Sequence, residues 1–424
     1  MTEVLDLFAC LLKSSESADW KTRAWKKLQE IGLPEKKEEA FQYVSLRKLY
    51  ESLLAEKSPS EKAIEYDLAS LVLPESQNSY IIFKDGSFCP ELSKLPSSII
   101  VLPLDEALKS SYSTFLKHRM NLLIEQEKDP WALLNSALCK RGLFIYVPAK
   151  IKLKGTIQVL HLQTDSSGIY TGSRVHLFLG AHAQVEMVSS FHLAPNSKTL
   201  FNDYLDVSLE ERVSFSHVLS NENQSSCWGF SAFRASLKKE SKLSSYAITF
   251  GSPGFRRDYF VSLLGERAEA DLKGLTAIGD HAEGHIHIHM EHAAPNCRSH
   301  QFFKNVLAAQ SRSSFTGKIY VKRIAQKTEA YQLNQNLLLS DFATANTKPN
   351  LEIFADDVKA SHGATVSQLD EEQIFYLRTR GVPLAQAKSL LTAAFCREVL
   401  DGIKATSLRH KLSEVCQQFL LNQG

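Results

Sequence analysis

Between about residue 143 and residue 360 the chain repeats a weak pattern, and this repeat limits its fold more than any other feature. An apolar residue is followed four positions on by a small or apolar one, and two further on by another. Examples are Ile151-Gly155-Ile157, Leu179-Ala183-Val185, Leu209-Val213-Phe215, Leu237-Ser241-Leu243, Leu264-Ala268-Ala270, Leu307-Ser311-Ser313 and Leu339-Ala343-Ala345. Their starting positions step by 28, 30, 28, 27, 43 and 32 residues. Near-constant steps with alternating, strand-like sequence between them are what a coiled stack of strands produces, each turn burying its inner face against its neighbours. A β-sandwich whose strands fall into step by chance gives a similar strand-rich sequence with few prolines. The pattern alone leaves both open.

The flanks read differently. Val4, Phe8 and Leu11 share a face of one N-terminal helix, and Trp20, Ala24, Leu28 and Ile31 a face of a second, which Gly32 and Pro34 end. Short apolar runs at Tyr80–Phe83 and Ile99–Leu102 suggest strands, with helical stretches near 105–125 and 130–139. After residue 365, Leu384, Ala387, Leu391, Ala394 and Phe395 recur at helical spacing, a stripe expected to close the end of the core. The expected division is 1–142 helical and mixed α/β, 143–365 strand-rich core, and 366–424 helical.

With 49 basic against 47 acidic residues, no global field favours nucleic acid or an anionic membrane. The N-terminus lacks the pattern of a secretory signal and nowhere do 18 apolar residues run together, so a cytoplasmic protein is expected. The seven cysteines are odd in number and widely spaced, without a CxxC pair, which argues for reduced thiols and against a disulfide framework. A stable iron–sulfur cluster held by one chain usually needs clustered thiolates, so none is expected here.

Residues 279–300 hold six of the fourteen histidines. His285, His287 and His289 alternate and would share one face of a strand, and Cys297 lies close in sequence. Imidazoles so spaced can bind zinc, copper or iron. The segment also coincides with the longest step of the repeat, as an insertion or irregular coil would. Against a metal, the spacing matches no familiar signature; an exposed histidine ladder or a pairing surface is the alternative. No phosphate loop is present: near Gly317-Lys318, Arg312 stands where the first Gly should be and Ile319 where Ser or Thr should be. GSPGF at 251–255 does not match the GxSxG elbow and GxGxxG is absent, so neither hydrolase nor dinucleotide chemistry is signalled. Asp356-Asp357 would point to opposite faces of a strand and make a poor acid/base pair.

From Lys348 to Gly381 the sequence is KPNLEIFADDVKASHGATVSQLDEEQIFYLRTRG. Leu351 and Ile353 alternate with polar neighbours as in a half-buried strand, Asp356-Asp357 begin a turn, and Lys359–Thr365 sits at an edge. Asp370 with Gln373 forms a capping-box pattern that starts a helix, Gly381 stops it, and Pro383 suits the first turn of another. His362, flanked by Ser361, Gly363 and Ala364, is sterically open. It either presents a ring nitrogen to a metal or partner, or merely satisfies a turn.

The pattern LEI-x-ADDVK-x-SHGAT-x-x-x-LD-x-x-x-x-FYL-x-x-RG resembles the hallmark of the SufB/SufD family of iron–sulfur cluster assembly proteins. GLPEKKEEAFQYVSL is similar to the family's opening, with Gly32, Leu33, Pro34, Glu39, Tyr43 and Leu46 in register and Phe41 where an aromatic is usual. SHQFFKNVLAAQSRSSFTGKIYV and AQKTEAYQLNQNLLLS look like its central core. The resemblance spans nearly the whole chain and favours the SufD branch. It implies a mainly β fold: a right-handed parallel β-helix flanked by N-terminal helical/mixed and C-terminal helical regions. It also implies a scaffold subunit, not an enzyme, acting with a SufB-type subunit and a SufC-type ABC ATPase. No cofactor would be held stably by this chain alone; iron or a transient iron–sulfur cluster would be handled at a shared interface. His362 would contribute there, completed by a partner's thiolate, which agrees with the absence of Cys between Cys297 and Cys396. Phe375, Tyr376, Arg378, Arg380 and Phe395 would lie in the region that docks partners. A homodimer of the isolated chain stays open, as do a SufB-like cluster-nucleating subunit and a β-helical metal binder or enzyme using 279–300.

Overall fold

The computed structural model describes residues 2–13, 18–55, 64–165, 168–194, 197, 199–222, 227–251 and 253–422. Strands β1 (Tyr80–Lys84), β2 (Ser87–Phe88), β3 (Ile100–Pro103) and β4 (Leu143–Val147) come first. Then follow β5 (Lys152–Leu162), β6 (Tyr170–Leu179), β7 (Gln184–His192), β8 (Leu200–Leu209), β9 (Ser214–Asn221), β10 (Trp228–Leu237), β11 (Lys242–Phe250) and β12 (Gly254–Leu263). The last are β13 (Glu269–Ile278), β14 (Glu283–His292), β15 (Arg298–Leu307), β16 (Arg312–Val321), β17 (Thr328–Leu338), β18 (Thr344–Ile353) and β19 (Val358–Ser367). Odd-numbered strands from β5 to β19 pair in parallel as one sheet, here sheet I, and even-numbered strands from β4 to β18 as sheet II. The chain crosses between the sheets at every turn, giving a parallel β-solenoid of about seven turns.

The corners explain the repeat. Each passage from sheet II to sheet I except the last, β18 to β19, carries one residue at positive φ: Lys150, His182, Arg212, Glu240, Arg267, Asn296 or Lys327. That conformation is uncommon for non-glycine residues. Here it is held by the next coil: His182 N–H donates to the Glu211 carbonyl (2.9 Å), Arg212 to Lys239 (2.9 Å), and Asn296 to Gln326 (2.9 Å). The following residue turns inward and must be small or apolar; Ala183, Val213, Ser241, Ala268 and Cys297 fill this buried column. The 43-residue step is therefore no insertion. The triplets up to Leu264 mark the corner from sheet II to sheet I, whereas those at Leu307 and Leu339 mark the opposite corner, from sheet I to sheet II. β14 between them is regular, paired over ten residues with β12 and β16. The first triplet, at Ile151, is out of phase because a bulge lies between Lys152 and Thr156.

Inside the coils, Met187, Phe215, Leu243 and Leu272 of sheet I meet Val175, Leu205, Phe233, Tyr259 and Ile288 of sheet II in one apolar core. Burying each such side chain fully is worth about 1.5–3 kcal/mol. The strands before residue 142 join this core: β1 pairs in parallel with β5 and folds back on β2, while β3 runs antiparallel to β4.

Helices α1 (Thr2–Lys13), α2 (Asp19–Ile31), α3 (Leu46–Leu54), α4 (Leu68–Leu71), α5 (Leu104–Ala107), α6 (Ser113–Gln126) and α7 (Pro130–Leu138) precede the full coils. Several cover the outer face of sheet II, with Trp131 of α7 stacked on Phe230 at 4.3 Å. The C-terminal helices are α8 (Glu371–Thr379), α9 (Leu384–Leu400) and α10 (Thr406–Asn422). They do not close the end of the core. The buried positions Cys396, Val399 and Leu400 of α9, with Leu408 and Leu412 of α10, pack along the outer face of sheet I against Tyr246, Ile248, Leu275 and Phe302. The expected stripe is thus rotated: Leu384 and Ala394 are exposed, while Ala387 is buried.

Candidate functional site

The solenoid ends in an open rung. Among the described residues β18 pairs only with β16 and β19 only with β17, so each leaves one edge of backbone donors and acceptors unpaired. β19 is the edge strand that the sequence implies, though His362 stands mid-strand and not in a turn. Its Cα partner is Gln332, whose own partner is Gln301, which in turn faces Leu272. Because parallel register keeps a column on one side of the sheet, His362 belongs to the inward-facing column. It is exposed only because no further coil covers it.

The interior changes character towards this rung. Gln301, Gln332, Asn305, Asn334 and Asn336 are all buried and inward-facing; Gln301 follows Leu272 and Asn334 follows Phe303, while Asn305 and Asn336 continue a column already polar at Thr249 and Thr276. Gln332 Nε2 donates to Gln301 Oε1 (2.6 Å), Asn305 Nδ2 to Asn336 Oδ1 (2.6 Å), and Asn336 Nδ2 to the Thr365 carbonyl (2.9 Å). Gln332 reaches across to Gly317 of sheet II, where a Cβ would collide with its amide. Gln301 Nε2, Gln332 Oε1 and Thr347 Oγ1 are buried without a partner among the described residues. The composition of QFFKN and YQLNQN, one coil apart, is the sequence signal for this amide ladder, which the apolar pattern passes over.

The histidines of 279–300 are placed apart chemically. His285, His287 and His289 share the outer face of β14, but each has its own partner. His285 Nδ1 meets Ser314 Oγ (2.8 Å) and Nε2 faces Glu283 (3.3 Å). His287 Nδ1 meets Asp258 Oδ1 (2.6 Å). His289 stacks on Phe260 at 4.7 Å, and burial pushes it down to about 4. Cys297 sits in the corner column, its thiol donating to the Gly265 carbonyl (3.2 Å) and raised by burial to about 11. No three of these residues converge; among the described residues there is no group of three or more His, Cys, Asp or Glu arranged to hold a metal ion.

His287 instead ends a buried ion network that sequence reasoning missed. Asp258 meets Arg234 (2.7 Å) and Arg256 (3.0 Å); Arg234 also meets Glu127 (2.8 Å), and Arg256 meets Asp129 (2.5 Å). Burial alone would raise the Asp258 carboxyl, but the two guanidiniums outweigh it and hold it well below the usual range. The network fastens the segment before β4 to sheet II, and Ser45, hydrogen-bonded to Glu283, fastens the N-terminal segment (3.0 Å from the backbone N–H).

Beyond the open rung, Asp370 caps α8 by accepting from the Glu372 N–H (2.9 Å). Phe375 and Tyr376 are 69% and 56% exposed, with the Arg380 guanidinium 4.5 Å over the Tyr376 ring and Arg378 alongside in the last turn. Phe395 does not join them: it is half-buried on sheet I with Lys304 Nζ 4.1 Å over its ring.

The fold is a parallel β-solenoid with one covered end, one open end and helices along both outer faces. Residues 161–395 match the SufBD core domain of the SUF system for FeS cluster assembly, and residues 12–159 match the SufBD protein N-terminal region. The chain belongs to this family. It is 29% identical over 416 residues to an iron–sulfur cluster assembly SufBD family protein of Synechocystis sp., covering 91% of this chain and 87% of that one. It is 26% identical over 413 residues to the iron–sulfur cluster assembly protein SufD of Escherichia coli, covering 95% and 93%. With the chloroplastic protein ABCI7 of Arabidopsis thaliana it shares 27% identity over 394 residues, covering 89% and 80%. No helix among the described residues is long and apolar enough to cross a membrane.

Proposed function

We propose that this protein is a SufD-type scaffold subunit that acts in the cytoplasm with a SufB-type subunit and a SufC-type ATPase, without turning over a substrate of its own. The observation that carries this reading is the open rung: two free strand edges and an inward-facing His362 with nothing stacked beyond it. A second solenoid offering its own terminal strands would satisfy both edges and bury His362 at the junction. Iron or a nascent cluster is the cargo there. Imidazole nitrogen can ligate iron, and thiolates to complete the set would come from the partner. The exposed aromatics and arginines of α8, beside the junction in sequence and free of the sheet, are the surface proposed for the ATPase.

Co-purification with SufB- and SufC-type proteins tests the assembly; failure of both to bind overturns it. His362→Ala is expected to leave folding and complex formation intact while cluster maturation falls. An unchanged maturation rate returns His362 to a structural role. Stoichiometric metal on the isolated chain that is lost on His287→Ala but kept on His362→Ala would move the site to β14.

A further inference from the structure

The amide ladder ends one rung below His362, and it ends with a specific atom unused. Gln332 is 2% exposed, and its carboxamide nitrogen is committed to Gln301 Oε1 at 2.6 Å. The planar amide leaves Oε1 on its other branch, buried and without a partner among the described residues. The neighbouring rung on that side is β19, where His362 is the direct Cα partner of Gln332 on the same face. Side chains so paired lie within reach of one another. A buried carbonyl oxygen left unpaired carries an uncompensated desolvation penalty, so an approaching N–H donor is stabilised there. The ring of His362 carries the one such donor in this column beyond Gln332. Gln301 and Gly317 fix the amide: the first orients it, and the second leaves the space its side chain occupies.

We propose that Gln332 is the positioning residue for His362: its Oε1 accepts the N–H of one imidazole nitrogen and thereby reserves the lone pair of the other for incoming iron. Histidines that ligate metals commonly donate their second ring nitrogen to a carbonyl or carboxylate, which fixes tautomer and ring orientation. Here the acceptor is a neutral carboxamide, so it orients the ring without adding charge. The inference rests on the reading of His362 as an iron-receiving ligand, but it predicts something that reading does not.

The test uses the full chain with 15N-labelled histidine, the His362 signals being identified by their loss in His362→Ala. One tautomer is expected to dominate in the native protein. Gln332→Leu should shift the ratio towards that of free histidine, and Gln332→Glu, which keeps an acceptor, should restore it. The same ratio in Gln332→Leu as in the native protein overturns the inference. If that variant does not fold, Gln332→Met, which keeps the length of the side chain, is judged by the same ratio. In the complex reconstituted with SufB- and SufC-type proteins, supplied with ferrous iron, Gln332→Leu is expected to lower maturation about 10-fold or more and Gln332→Glu to recover most of it. Equal loss in both variants also overturns the inference. Maturation that survives His362→Ala overturns the functional reading instead, while the tautomer ratio still decides the role of Gln332.

Discussion

The two ends of the solenoid are built from the same coil and finished in opposite ways. At the first end, β2 folds back on β1 and β3 runs antiparallel to β4, so each sheet ends in a reversed strand. At the other end β18 and β19 stop with their edges free, and apolar side chains stand beside them: Phe342 is 77% exposed, Phe354 56% and Val366 49%. Natural proteins blunt exposed strand edges because they invite pairing with another chain. A second chain pairing at the open end, as proposed above, would cover these edges and side chains. The interior follows the same division. Leu272 gives way to Gln301 and Gln332, and Phe303 to Asn334, in the coils next to the open one.

The largest expected effect lies in the covered half. Phe233 is fully buried among Leu205, Tyr259 and Phe215. Phe233→Ala should cost about 3–5 kcal/mol in unfolding free energy, as truncation of a large core side chain does. A loss below about 1 kcal/mol would mean that the middle coils are as loose as the last, and the contrast between the ends would fail.

Acid should act on buried imidazoles of both halves. Burial holds His161, His176, His192, His289 and His292 each at about 4, against the ordinary 6.5. The unfolded chain therefore takes up protons that the folded one refuses. Their contribution to stability is complete above about 6.5 and is lost as pH falls from there to 4. Asp206 and Asp258 act lower: both carboxyls are held well below the usual range, so their contribution is present above about 4 and is lost only below it. Urea midpoints should decline most steeply between pH 6.5 and 4. A flat profile there would show that these imidazoles are not buried in solution.

A smaller effect is expected where the C-terminal helices meet sheet I. Lys304, 3% exposed, donates to the Phe395 carbonyl (3.1 Å), pairs with Glu398 and lies over the Phe395 ring. Lys304→Met keeps the stem but removes these bonds, and about 1–3 kcal/mol should be lost. Hydrogen exchange should show it as faster opening of α9 and α10 with the solenoid unchanged. Uniform loosening of the coils would show instead that the helices and the solenoid open as one unit.

These effects also show what the sequence could reveal. The coil was legible because seven corners from sheet II to sheet I place a small or apolar residue behind a left-handed one, a local demand that recurs along the chain. Its phase was not: Leu307 satisfies the same pattern as Leu264 from the opposite corner, and only strand pairing separates them. The edge strand, the Asp370 cap and the stop at Gly381 were legible for the same local reason. The direction taken by α9 was not, since Ala394 and Val399 are both apolar and only the face of sheet I decides which is buried. The site shows a similar limit. His362 stood out from its small neighbours and family motif, whereas Gln332 matters through a register partner thirty residues away. The alternation of His285, His287 and His289 correctly gave a shared face, but Asp258, Ser314 and Phe260, which separate them chemically, come from neighbouring coils.

The smallest expected effect is the one most informative about the open end. Val366 lies on β19 with half its surface in water, so Val366→Ser should change the stability of the isolated chain by no more than about 0.5 kcal/mol. Pairing the free edge with another chain would remove that surface from water, and the same substitution should then weaken the assembly measurably. Equilibrium sedimentation of the chain with a SufB-type partner, native against Val366→Ser, makes the comparison. Phe375→Ala serves as the control, because α8 lies beyond the rung and should leave this pairing untouched while weakening binding of the ATPase. If Val366→Ser and Phe375→Ala weakened the same interaction equally, strand edge and helix would form one continuous surface, and the open rung would not be a separate junction.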